Sequence, residues 1–332
     1  MRNSNWLNKH QEEALEPSRE ICDAHHHLWD YPDSRYLADD YIKDISSGHN
    51  ITSTVYVECG SKYREEGPDF LRSVGEVDFV IDSVTSFNGN NSSSTRICNA
   101  IVGYANLTDK NSTKTLDELI DASNLMVGVR HASAWDKNKN IRNAHTHPVE
   151  MLFGNSDFKK GFAELEKRNL SFDAWLYHPQ IPELTELARN FPNQVIVLDH
   201  LGGPVGIGPY AGKRKEIFQI WKKNIRCLAA YPNVFAKLGG LLMSLSGFGL
   251  HKRDKPPTST EIATLTRDYY LFMIDTFGPT RCMFESNFPM DKVSCSYNVL
   301  WNSFKKITHA FSENDKELLY KKTAQKVYKI RD

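Results

Sequence analysis

The sequence has no excess of either charge, with 41 lysine and arginine side chains against 41 aspartates and glutamates in 332 residues. A surface without a net field offers no broad footprint for nucleic acid or an anionic membrane, so a charged ligand must be met by a local site. The expected partner is therefore a small molecule. Long apolar runs are also missing. None approaches the roughly 18 residues that would suggest a membrane-spanning helix, and mean hydropathy is -0.50. Residues 1–20 are polar and acidic, unlike a targeting segment, so a cytoplasmic protein is expected. The six cysteines form no Cys-x-x-Cys pair; in a chain long enough to bury a large core, free thiols are the expectation. Nucleotide signatures are lacking too. In the run from Gly206 through Gly208 to Gly212 the third glycine falls one residue late for a dinucleotide fingerprint, and no Gly-Lys-Ser/Thr follows. There is no Gly-x-Ser-x-Gly elbow, which leaves serine nucleophile chemistry unsupported. No internal repeat is found, and the polar stretch 88–95 reads as a solvated loop.

What the sequence has is alternation. Short β-branched or apolar runs at 21–27, 51–58, 100–106, 126–131, 170–177, 194–200, 234–238 and 281–286 are separated by amphipathic stretches such as 157–168, 181–190 and 216–230. This is the pattern of βα units around a parallel sheet. A last helical stretch, 312–328, is expected to pack outside it. The predicted fold is α/β: a single (β/α)8 TIM barrel at 20–330 with loop insertions at its carboxyl-end face, preceded by a polar extension at 1–19. The polar residues favour a barrel over an open sheet because they gather at strand ends, which converge on one mouth. They are His25, His27, Glu58, Arg130, His131, Trp175, His178, Asp199, His200, Lys237, Glu285 and Asn287.

The sharpest local signal is Asp23-Ala24-His25-His26-His27-Leu28-Trp29-Asp30. Strand side chains alternate, so His25 and His27 point into the barrel and can share a cation, while His26 points out.

Together with DAHHHLWD, the segments VYVEC (55–59), VGVRHASAW (127–135), FDAWLYHPQ (172–180), VLDHLGGP (197–204), FAKLGGL (235–241) and RCMFESNFPMDK (281–292) resemble the amidohydrolase superfamily. The likeness is to the amidohydrolase-related group that includes L-fucono- and L-rhamnono-lactonases and 2-pyrone-4,6-dicarboxylate lactonase, and it runs from about residue 20 to 330. It implies a TIM-barrel hydrolase in which water, activated by a divalent metal or by an aspartate alone, attacks a lactone. One departure stands out. Where most of the group ends strand eight in Ser-Asp-Trp-Pro, this chain has Ser286-Asn287-Phe288-Pro289, and a neutral amide cannot take a proton. Glu285 is the first candidate for the displaced carboxylate, ahead of Asp291 and Glu58; the bland reading of Glu285 is an ion pair with Lys237 or Arg130. If a metal is bound, His25 and His27 are its expected ligands and zinc or manganese the expected ion. Without one, His25, His27, His178 and His200 would polarise the carbonyl and move protons. Two other classes stay open: a decarboxylase acting on an aromatic or dienoic acid, and a ligand-binding barrel that has lost catalysis.

For the substrate, Tyr63 and Arg64 after strand two and Arg130 with His131 after strand four are candidates to grip an anionic group, as a guanidinium fork does. Their bland reading is pairing with Glu58, Glu65 or Glu66. Trp135 and Trp175, with Tyr177 and Tyr210, would line a flat pocket. Assembly with further copies of the chain stays open.

Overall fold

The computed structural model describes residues 4–90 and 96–331. Among them, eight parallel strands run in one sheet in chain order: β1 (Glu20–His26), β2 (Asn50–Val57), β3 (Ala100–Gly103), β4 (Met126–Arg130), β5 (Ser171–Ala174), β6 (Ile196–Leu198), β7 (Val234–Leu238) and β8 (Cys282–Phe284). The gap between β8 and β1 is bridged just beyond β8. His26 lies opposite Phe288, Asn287 N donates to His25 O at 2.9 Å, and His27 N donates to Phe288 O at 2.8 Å. The fold is a (β/α)8 barrel.

Each strand is followed by a helix: α1 (Ala38–Ile45), α2 (Val74–Asn90), α3 (Ser112–Ala122), α4 (Ser156–Lys167), α5 (Ile181–Asn190), α6 (Arg214–Ala229), α7 (Ser259–Phe277) and α8 (Tyr297–Ile307). The local chemistry explains the starts. Asn155 caps α4 by accepting from Asp157 N and Phe158 N, and Thr258 and Glu261 form a reciprocal capping box on α7. Helical spacing then places Phe158, Phe162 and Leu165 on the face of α4 turned to Phe172 of β5. No described helix is long and apolar enough to cross a membrane. All six cysteines are free.

Three expectations need adjusting. Several strands stop earlier than the apolar runs do, because the chain leaves the ladder there; β6 ends at Leu198, so Asp199 and His200 belong to the loop above it. Residues 88–90 of the expected loop complete α2, and 91–95 lie outside the described residues. The helical stretch after Ser312 does not simply lie outside the barrel. Its end closes the lumen: Val327 and Tyr328 pack with Cys22, Val55, Val127 and Val197, and Tyr328 Oη donates to Asp173 Oδ2 at 2.7 Å. Tyr328→Phe removes one of two donors to that oxygen, with Lys237 Nζ remaining at 2.6 Å, and is expected to cost about 0.5–1.5 kcal/mol. An unchanged urea midpoint would show that Tyr328 only fills space.

Residues 4–19 are tied down. Trp6 Nε1 donates to Arg253 O, and Glu12 accepts from Ser259 N at 2.7 Å and Asn302 Nδ2 at 3.0 Å.

Candidate active site

The barrel lumen is charged. Glu58, Asp173, Asp199 and Glu285 are fully buried in it, together with Lys237, Arg130 and His25. A charge inside an apolar parallel strand can only face the lumen, because the other face packs on helices, and burying it is costly unless it is paired. The pairs are present. Lys237 Nζ lies 2.6 Å from Asp173 Oδ2 and 3.1 Å from Asp199 Oδ1. Arg130 bonds Glu58 Oε1 through Nε at 2.7 Å, the Glu58 carbonyl through Nη2, and Asp199 Oδ2 through Nη1 at 3.3 Å. Burial opposes the ionised form of Asp199, but Lys237 and His25 outweigh it and hold that carboxyl well below its usual range. Asp173 is pushed up, chiefly by burial.

Above this layer two imidazoles meet one carboxylate and a third packs beside them. Glu285 Oε1 lies 2.7 Å from His200 Nδ1 and Glu285 Oε2 lies 2.9 Å from His25 Nδ1. The two histidine rings are 4.6 Å apart. His27 Nδ1 faces the Val57 carbonyl at 2.7 Å, which fixes the proton there and leaves a lone pair on Nε2. Burial and then Lys237 lower His25 to about 4, and burial with His25 beside it takes His27 well below its ordinary value, so both rings are neutral at working pH. Glu285 is held low by His200 and His25 against its own burial. A register shift in β1 between Asp23 and His26 accompanies this placement, as bulges beside sites commonly re-aim side chains. The glycine-rich loop after β7 has a steric part in it. Gly240 adopts φ +67, and a Cβ there would stand 2.3 Å from His200 Nδ1.

These residues fit a divalent cation. Lys237 Nζ and Glu285 Oε2 flank His25 Nδ1 at 3.1 and 2.9 Å, while His25 Nε2 and His27 Nε2 lie 3.2 Å apart. Such a contact is repulsive unless a proton or an ion lies between, and two tetrahedral zinc ligands sit roughly 3.3 Å apart. Anchoring of the far nitrogens by a carboxylate and a backbone carbonyl is the usual support for metal-binding histidines. Donor atoms of His25, His200 and Glu285 lie within 4.8 Å of one another. Charge agrees, since among the described residues Arg130 and Lys237 are the permanent cations paired with the lumen's buried carboxylates. Arg130 Nη1 also approaches His25 Nε2, at 3.4 Å.

The remaining sequence candidates divide. Trp175 joins the site, its ring 4.7 Å from His200. Glu58 is clamped between Arg130 and His145, whose Nε2 lies 2.8 Å from Glu58 Oε2. Asn287 turns its amide to Asp291 Oδ1 at 3.1 Å and helps to close the barrel. Asp291, raised to about 7 by burial, also accepts from Leu242 N. His178 takes the Val205 N–H on Nδ1 and packs on Tyr210. His131 faces outward, against Tyr104 and Phe158. Arg64 is bonded to Asp78, Tyr63 stacks on Tyr104, and Trp135 hangs its backbone N–H on Gln180. Sequence reasoning passed over Asp173 and His145 and placed Asp199 and Lys237 only at strand ends. The available signal was a charge embedded in an apolar run: Phe-Asp-Ala-Trp, Val-Leu-Asp-His, Phe-Ala-Lys-Leu.

A closed parallel barrel with histidines and a carboxylate gathered over the carboxyl ends of its strands defines a class of barrel enzyme whose chemistry sits at the mouth. The chain belongs to the amidohydrolase family, whose pattern matches residues 22–330. It is 31% identical over 333 residues to the protein y4mH of Sinorhizobium fredii, across 93% of this chain and 98% of that one. It is 26% identical over 151 residues to an L-fucono-1,5-lactonase of Burkholderia multivorans, across 45% of this chain and 48% of the relative. A zinc-bound crystal structure of an amidohydrolase from Burkholderia multivorans superposes with a TM-score of 0.74 at 20% identity, covering 94% of this chain and all of the other.

Proposed function

We propose that this protein hydrolyses a cyclic ester, a lactone of a sugar acid or dicarboxylic acid, by attack of an activated water. The observation that carries the reading is the Glu285 bridge, which holds His25 and His200 on one carboxylate and leaves imidazole nitrogens for the reacting atoms. The lactonase relatives support the choice of ester over amide.

His25 and His27 would hold a zinc or manganese ion, which when bound lowers the pKa of a coordinated water and polarises a carbonyl. The chain's own residues do the rest. Glu285 orients two imidazoles through their Nδ1 atoms, so that His200 can accept the proton of the attacking water at Nε2 and Glu285 stabilises the imidazolium that forms. Asn287 cannot fill that role. Lys237 and Arg130 keep Asp199 ionised next to His25. Trp175 walls the His200 side, where a ring can lie flat. The Arg130 fork is engaged by Glu58 and Asp199, so a carboxylate on the substrate is more readily met at the mouth.

Elemental analysis of purified protein should give about one divalent ion per chain, and a pH-indicator screen of a lactone panel should show acid release. Chelation should remove that activity and zinc or manganese restore it. Ligand binding without acid release from any lactone would overturn the reading.

A further inference from the structure

A lactone opens only if the departing ring oxygen receives a proton, and the groups above are arranged to remove one from water. His145 lies outside that arrangement. It sits on the insertion between β4 and α4, a loop that is firmly pinned. Ala144 N donates to Ala134 O at 2.8 Å, Asp136 N to Asn143 Oδ1 at 2.8 Å, Thr146 Oγ1 to Ala132 O, and Tyr177 Oη to Arg142 O. From there the imidazole reaches back over Gly60, where φ is +80 and a Cβ would come 3.1 Å from His145 Cδ2. The left-handed backbone favours glycine there, and a side chain would press the ring back by a few tenths of an ångström.

The ring ends a continuous bonded path. His145 Nε2 meets Glu58 Oε2 at 2.8 Å, Glu58 Oε1 meets Arg130 Nε at 2.7 Å, and Arg130 Nη1 stands 3.4 Å from His25 Nε2. Along this path exposure rises toward the mouth: the Glu58 side chain is fully buried and that of Arg130 4% exposed, against 32% for His145. With Nε2 committed to a buried carboxylate, Nδ1 is the atom His145 offers outward. A carboxylate behind an imidazole fixes its orientation and favours its protonated form.

Resting on the lactone-hydrolase reading, we propose that His145 is the acid of the reaction, a catalytic residue whose Nδ1–H protonates the ring oxygen as the acyl carbon–oxygen bond breaks. The balance closes. Water oxygen bonds to the carbonyl carbon, one water proton passes to the imidazole cluster, the electron pair of the broken bond goes to the ring oxygen, and that oxygen takes the His145 proton; the cluster then returns its proton to solvent and solvent recharges His145. The groups facing His145 are Glu58 and Glu76, which favour its charged form, and Arg130, which opposes it; His131 also lies near. Glu58 prevails over burial and Arg130, so His145 is raised above its ordinary value.

Two substrates and two variants test this. His145→Gln keeps a neutral donor to Glu58 and should lower kcat on an alkyl lactone, whose alkoxide is a poor leaving group, by about 100-fold, the lower end for a lost general acid. A dihydrocoumarin-type aryl lactone, which leaves as phenolate, should be little affected. Parent kcat on the alkyl lactone should fall as pH rises through the His145 pKa, and Glu58→Gln should move that limb to lower pH. Equal losses on both lactones, or no loss on either, would overturn the proposal. An NMR titration of the His145 ring decides independently of turnover. A midpoint at or below about 6.5, the ordinary histidine value, with Glu58 intact sinks the assignment, whereas a parent that opens neither lactone sinks the hydrolase reading instead.

Discussion

Glu285→Gln should reduce hydrolysis by on the order of 10²–10³-fold, the range seen when one preorganised polar group is removed from a reacting site. The reason is specific to the geometry. Both carboxylate oxygens are engaged, Oε1 bonded to His200 Nδ1 at 2.7 Å and Oε2 lying 2.9 Å from His25 Nδ1. A glutamine keeps only one acceptor and turns an N–H against the other ring, so one imidazole must change tautomer or swing away. Metal content should fall together with kcat, because orientation of the ligand nitrogens is lost. Asn287→Asp should leave turnover near the parent's, since the carboxylate that serves the histidines stands two residues earlier. A Glu285→Gln enzyme as active as the parent would show that the bridge is only an ion pair in the wall.

The second large effect is on stability. Lys237→Met should destabilise the fold by about 3–5 kcal/mol, as expected when one partner of a buried ion pair is removed and the other stays behind uncompensated. Here two partners stay behind, Asp173 and Asp199, both fully buried. Without the ammonium the folded-state pKa of Asp199 rises and that of Asp173, already above its ordinary value, rises further, so the penalty is largest near neutral pH. It shrinks as pH falls and the aspartates take up protons. Urea midpoints of parent and variant, measured at pH 7 and at pH 5, should converge at the lower pH. A variant as stable as the parent at pH 7 would mean that Lys237 contributes nothing net.

The barrel was legible because βα alternation is a local signal. A run such as Asn-Ile-Thr-Ser-Thr-Val-Tyr-Val can bury both faces only in a parallel sheet, and eight such runs with helices between leave few arrangements. The His25-x-His27 pair was legible for the same reason, since a period of two puts both rings on one face. His178 looked equivalent to His200, as both follow an apolar strand. The structure separates them through the loop path: His200 takes φ +54 and folds back over Glu285, whereas His178 begins a turn that carries its ring to Val205 and Tyr210. Arg130 read as a grip for an anionic ligand, yet Glu58 and Asp199 hold it from β2 and β6. His145 lies 87 positions from the glutamate it bonds, and nothing in its neighbours along the chain announces that contact.

By itself the sequence determined the βα order, the direction in which each strand residue faces and the kinds of group available at the mouth, because these depend on periodicity and on intrinsic chemistry. Only the tertiary structure decided the pairings: which histidines share Glu285, which carboxylates occupy Arg130, and that Tyr328 seals the lumen beneath Asp173. Those depend on barrel closure and loop paths, which bring together residues from opposite ends of the chain and are written in no local stretch of it.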